Sequence, residues 1–252
     1  MADTCAKAGQ KRSAEGATAP QKRFYRQRAH CNPLAHNDTF DYPVSPSAMD
    51  WTQYYETNVD PPTVLDIGCG FGGLTLALSK LLPDERILGM EIRAKVTEYV
   101  KLRIESARKE ENVYQNCSVL RTNSMKFLVN YFSKASISKI FVCFPDPHFK
   151  RKNHPRRIVS TRLLSEYAFV LKDYGRIYMI TDVKELHEWH IEHCDAHPLF
   201  RRLLVSDDAT TLNDPCVEIM RTVTEEGQKV ARNGGDKYYA VYERIPNVKT
   251  VR

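Results

Sequence analysis

Thr63-Val64-Leu65-Asp66-Ile67-Gly68-Cys69-Gly70-Phe71-Gly72-Gly73 joins a short apolar run to a glycine-dense loop that leads straight into a helical pattern. Glycines in such a turn let the backbone bend sharply and bring peptide N–H groups close to a ligand. Gly68, Gly70 and Gly73 satisfy the dinucleotide pattern G-x-G-x-x-G, and Glu91 lies 23 residues after Gly68, at the end of the next apolar run. A carboxylate there can accept hydrogen bonds from both hydroxyls of a ribose. NAD fits this much of the pattern, and a tight strand-to-helix turn without a ligand is the plainer alternative.

Working outward, short apolar runs alternate with helical patterns from Pro62 onward, the signature of a parallel sheet with crossover helices. The strands are predicted at 63–67, 86–92, 118–122, 139–144 and 175–181. Apolar residues spaced by three and four mark helix faces at Leu74, Ala77, Leu78, Leu81 and Leu82, at Val96, Val100, Ile104 and Ala107, and at Leu163, Leu164, Tyr167 and Leu171. Pro83 and Gly175 punctuate two helix ends, and a further helix is predicted over about 184–193. Residues 200–205 and 237–245 read as closing strands, antiparallel and hairpin-like, because little crossover helix is obvious between them. The expected architecture is α/β and Rossmann-like, with a mostly parallel seven-stranded sheet, helices on both faces and an antiparallel C-terminal strand. Residues 1–22 are expected to form a disordered basic tail and 23–62 an extended arm, with the folded domain at 63–252.

The 252 residues, 42% hydrophobic and 27% charged, have an ordinary globular composition. No apolar run approaches the ~20 residues of a membrane helix, and the N-terminus has no apolar signal core. The seven cysteines are scattered without a Cys-x-x-Cys pair, which favours reduced thiols over disulfides or a metal site. The net charge of +6 is unevenly placed: residues 1–30 hold seven Lys/Arg against two acids, and Lys150, Arg151, Lys152, Arg156 and Arg157 form a second cluster. Such focusing suits a polyanion, since each neutralised phosphate releases counterions; solvated charge runs are the ordinary alternative.

Asp66, two positions before the first glycine, tips the loop away from NAD, because a carboxylate there suits a cationic methionine moiety. The block resembles motif I of class I methyltransferases, which use S-adenosylmethionine. Asn123 and Ser124 follow the third predicted strand, where this fold class places adenine contacts, and also read as a helix N-cap.

Phe144-Pro145-Asp146-Pro147-His148-Phe149 ends the fourth strand, on the side where parallel sheets bind ligands. The prolines restrict where the Asp146 carboxylate points, although a turn-capping aspartate would look the same locally. This block, with Arg26-Gln27-Arg28-Ala29-His30-Cys31-Asn32-Pro33 upstream and Thr224-Glu225-Glu226-Gly227-Gln228-Lys229 downstream, resembles the catalytic subunits of eukaryotic tRNA (guanine-N7)-methyltransferases, over about residues 22–245. The resemblance implies transfer of a methyl group to a variable-loop guanosine without a metal, and a WD-repeat partner. It implies Asp146 as the catalytic position and Gly68, Gly70, Glu91, Ile92, Asn123, Ser124 and Cys143 as cofactor residues, with Thr224, Glu225 and Glu226 closing the site. The second basic cluster would meet RNA phosphates. His148 and His154 are weaker RNA candidates, and Thr224-Glu225-Glu226 also reads as an acidic first helical turn. The resemblance, with the basic pairs Lys11-Arg12 and Lys22-Arg23, implies nuclear residence, with the cytoplasm as a further location. Two rival classes are an NAD-dependent oxidoreductase, for which no hydride-transfer site is visible, and a catalytically silent RNA-binding module, which would not need Asp66, Glu91 and Asp146 together.

Overall fold

The computed structural model describes residues 19–28, 31–35, 39–55, 60–206 and 213–247. The expected tail through residue 18, with Lys11-Arg12, and Ala29-His30 of the upstream motif lie outside them. Seven strands form one sheet: β1 (Val64–Ile67), β2 (Ile87–Glu91), β3 (Cys117–Arg121), β4 (Ile137–Cys143), β5 (Leu171–Thr181), β6 (Phe200–Val205) and β7 (Tyr238–Arg244). Their order is β3-β2-β1-β4-β5-β7-β6. The first five pair in parallel, and β7 runs antiparallel between β5 and β6.

The central strands are buried on both faces, so they read as unbroken apolar runs. Val64, Ile87, Phe141 and Tyr178 point to one core, which is completed by α1 (Gly73–Leu81), α2 (Ala94–Glu111) and α6 (Pro215–Thr222). Leu65, Leu88, Ile140 and Ile177 point to the other, covered by α3 (Ser124–Tyr131), α4 (Thr161–Val170) and α5 (Lys184–Asp195). Trp51 and Tyr55 from the N-terminal arm seal the second core, where Trp51 stacks on Phe132 at 5.9 Å.

The helix ends follow local chemistry. Asn123, Ser160 and Asp214 cap α3, α4 and α6 through their side chains, and Asn112 closes α2 in a left-handed conformation at φ 52°.

Two expectations need correction. Leu171 belongs to β5 rather than to the α4 face, and Gly175 lies inside that strand instead of ending a helix. Leu171 is fully buried, so the apolar spacing alone cannot tell a last helical turn from a first strand residue. The strand starts early through an irregularity: Tyr174 has φ 65°, and the register against β4 shifts between Ile137 and Lys139. The second correction concerns β6 and β7. They pair antiparallel as expected, but α6 and α7 (Glu225–Arg232) lie between them, so the connection is no hairpin. Both helices span eight residues, too short for a persistent periodic pattern.

Candidate active site

The strand order reverses between β1 and β4, and this places the glycine loop beside the loop that follows β4. Open α/β sheets bind ligands at such a switch point, beyond the carboxyl ends of the strands. A cleft of about 840 Å³ lies there. Every cofactor residue expected from the sequence lines it, from Gly68 and Gly70 to Thr224, Glu225 and Glu226, and so do Asp146 and Arg156.

The glycine loop is held from below. Gly68 and Cys69 donate their N–H groups to the Met90 carbonyl at 2.8 and 3.1 Å. Gly68 and Gly72 lie at φ +79° and +81°, where a side chain is strained. A Cβ on Gly68 would enter open space, whereas one on Gly72 would lie 2.8 Å from Val100 Cγ1. Gly68 thus leaves room over the cleft and Gly72 allows close packing of α2.

Glu91 ends β2 and is 4% exposed. Arg93 donates to it from Nη2 at 2.7 Å and from Nε and its main-chain N–H at 3.0 Å, and Gly70 N–H donates at 3.2 Å. Beside it Asp66 accepts from the Thr75 hydroxyl at 2.7 Å. Burial pushes the Asp66 carboxyl up to about 7, the Thr75 hydrogen bond opposes the shift, and the charges of Glu225 and Glu91 add to it. Burial likewise raises the Cys69 and Cys143 thiols well above their ordinary range, so both stay protonated.

The opposite wall comes from the N-terminal arm. Asn123 accepts from Met125 N–H at 3.1 Å as the α3 cap and donates to the Pro33 carbonyl at 2.6 Å. The structure thus shows the N-cap reading of Asn123 and places the residue in the cleft lining. Gln27 Oε1 accepts from Lys95 N–H at 3.1 Å, and Lys22 places its ammonium 4.1 Å from the Phe71 ring centroid and 3.9 Å from Glu225. Glu225 and Glu226 form the acidic first turn of α7. Thr224 caps α7 by accepting from Gly227 N–H at 3.0 Å, while all three residues line the cleft.

After β4 the backbone turns twice into the left-handed region, at Phe144 (φ 49°) and His148 (φ 46°), one residue outside each proline that flanks Asp146. Asp146 accepts from His148 N–H at 3.3 Å, and the His148 Nδ1 lies 3.8 Å from its carboxylate. Lys150, Arg151 and Lys152 are exposed and follow the cleft residue Phe149 in the chain without lining the cleft themselves, and Arg156 is half-buried at the cleft. Arg157 departs from its expected role as a phosphate contact. It is 1% exposed, donates to the Pro147 carbonyl and to Glu185, and lies 4.6 Å from the Trp189 ring. Its planar fork reaches a loop carbonyl and an α5 carboxylate at once, and burial removes the guanidinium from solvent. His154 is likewise packed edge-on against Trp189 at 5.2 Å.

A family model described as "Putative methyltransferase" matches residues 60–240. A tRNA (guanine-N(7)-)-methyltransferase of Kluyveromyces lactis is 54% identical over 90% of this chain and 84% of its own length. One of Schizosaccharomyces pombe is 52% identical over 91% and 87%. The chain belongs to the tRNA (guanine-N(7)-)-methyltransferase family. Among solved structures, the 16S rRNA methyltransferase KamB shares the fold at a TM-score of 0.52, with 14% identity over 73% of this chain and 87% of that one.

As a member of this methyltransferase family the chain has the right cradle for its methyl donor. The open space over Gly68, the buried carboxylate of Glu91 and the cap residue Asn123 suit an adenosine, and the acids Asp66 and Glu225 suit a cation. Among the described residues no His/Cys/Asp/Glu group could hold a metal. Arg93, Lys22, Gln27, Asp182 and Lys229 also line the cleft, and none of them is among the cofactor or catalytic residues expected from sequence. Asp182 directly follows β5, so the strand-end rule that finds Asp146 applies to it equally.

Proposed function

We propose that this chain transfers a methyl group from S-adenosylmethionine to N7 of a guanosine in tRNA, forming 7-methylguanosine. The observation that carries the reading is the shared cleft, lined by Asp146 after β4, by the glycine loop after β1 and by Glu91 at the end of β2. When bound, S-adenosylmethionine supplies an electrophilic methyl group on a sulfonium. Glu91 would hold its ribose, Gly68 and Gly70 would leave room for the chain between ribose and amino acid, and Asn123, Ser124, Ile92 and Cys143 would enclose the adenine.

Guanine N7 has an in-plane lone pair and no proton to lose, so no strong base is required. The protein has only to align the base and tolerate positive charge on the purine. Asp146 accepts from the Watson–Crick donors of guanine, and its charge stabilises the product ring. The prolines and Arg157 hold that carboxylate in place. Lys150, Arg151, Lys152 and Arg156 neutralise phosphates around the cleft, positioning the RNA without reading its sequence.

Incubation with tRNA and methyl-labelled S-adenosylmethionine, followed by chemical cleavage at 7-methylguanosine, tests the reading. Label at another atom would overturn it. The same reading includes a variable-loop target, a WD-repeat subunit and nuclear residence, supported by the family resemblance and the basic N-terminal residues. Co-purification of a tagged chain and its imaging in cells test the last two.

A further inference from the structure

Phe149 is 66% exposed and lines the same cleft as Asp146. A single exposed apolar side chain is ordinary on a protein surface; its surroundings set this one apart. Three other exposed or half-buried phenylalanines are covered by a cation of the chain itself: Lys22 lies over Phe71, Arg23 over Phe24 and Arg121 over Phe40, and Phe144 of the same cleft is half-buried against the apolar core. Among the described residues Phe149 has no such cover. Instead it stands at the start of the exposed run Lys150, Arg151 and Lys152, and Lys22 and Arg26 line the cleft from the arm. An open aromatic face within a basic rim is the composition of a platform for unpaired nucleobases.

The proposed reaction creates a need for such a platform. A guanine that presents N7 to a methyl donor inside the cleft has left its stack, and the base beside it loses a stacking partner. Asp146 is within the cleft, with its side chain 27% exposed. Phe149 follows three residues later, beyond the rigid Pro147 and the left-handed turn at His148.

We propose that Phe149 stacks on the unpaired base adjacent in sequence to the target guanosine and replaces the stacking that base loses when the guanosine enters the cleft. This rests on tRNA being the substrate. A tRNA carrying 2-aminopurine beside the target is titrated with the full chain, in whichever form, alone or with its WD-repeat subunit, methylates tRNA. Wild type and Phe149→Trp are expected to quench the probe. Phe149→Ala is expected to lose the quench and to raise the tRNA Kd about tenfold, with an unchanged slope of log Kd against log salt. S-adenosylmethionine affinity, measured on the same samples, reports that the variant is folded. Equal quenching and equal Kd in wild type and Phe149→Ala would overturn the proposal, as would a reduced salt slope, which marks a lost phosphate contact. Wild-type methyl transfer, measured alongside, separates failure of the substrate reading from failure of this one.

Discussion

The Arg157 guanidinium donates from Nε to the Pro147 carbonyl at 2.9 Å, tying the segment that carries Asp146 to the interior. Its Nη2 donates to Glu185, in the first turn of α5, at 2.7 Å. Replacing Arg157 by Ala removes both bonds and the packing on Trp189. A stability loss of about 2 kcal/mol is expected by urea unfolding. The kcat for tRNA falls with it, while the salt dependence of tRNA binding keeps its slope because no phosphate contact is lost. Arg157→Lys restores the charge without the two-point fork, so kcat is expected to remain low.

Lys150 and Lys152 present the opposite behaviour. Each is exposed, and replacement of either by Ala should lower the slope of log Kd against log salt by about 1. Methyl transfer at saturating tRNA should then be nearly unchanged. A slope equal to wild type for both variants would remove them from the RNA interface.

Asp146 is expected to separate chemistry from cofactor binding. Asp146→Ala should lower kcat by about a hundredfold or more, with the S-adenosylmethionine Kd within about twofold of wild type by calorimetry. Glu91→Gln should do the reverse. It weakens the ribose contact and leaves the half-buried Arg93 without its carboxylate, so the cofactor Kd rises about tenfold. Similar effects of the two variants on both constants would contradict this division of labour.

Asp66 makes stability depend on pH. Its carboxyl titrates near 7 in the folded protein, chiefly through burial, against a reference of 3.8. Because the folded-state value is raised, the contribution is full below the unfolded pKa and is lost as pH rises through the folded one. Between pH about 4 and 7 the folded protein loses at most about 4 kcal/mol from this group. Asp66→Asn keeps an acceptor for Thr75 and cannot ionise, so it should flatten stability over that window in denaturant titrations.

Much of this architecture is legible locally. The runs around Val64–Ile67, Ile87–Glu91 and Ile137–Cys143 are apolar because both faces are covered. Their C-terminal ends carry Gly68, Glu91 and the Pro-Asp-Pro block within a few residues. Where the reading slipped, local grammar was ambiguous. Leu171 is buried equally well as helix or strand, and α6 and α7 are only two turns each.

The sequence by itself determined the local conformation around the candidate site of this protein, because its glycines and prolines restrict the backbone of their immediate neighbours. Only the tertiary structure decided which basic residues stay exposed. Arg156 and Arg157 are adjacent and identical in type, yet one lines the cleft and the other lies buried between Pro147, Glu185 and Trp189. Which way each side chain turns is set by partners on α5, nearly thirty residues away, and by the crossing of the chain at the β1–β4 switch point. The same long-range packing brings Lys22 and Gln27 of the arm into the cleft wall, a placement that no periodicity or motif encodes.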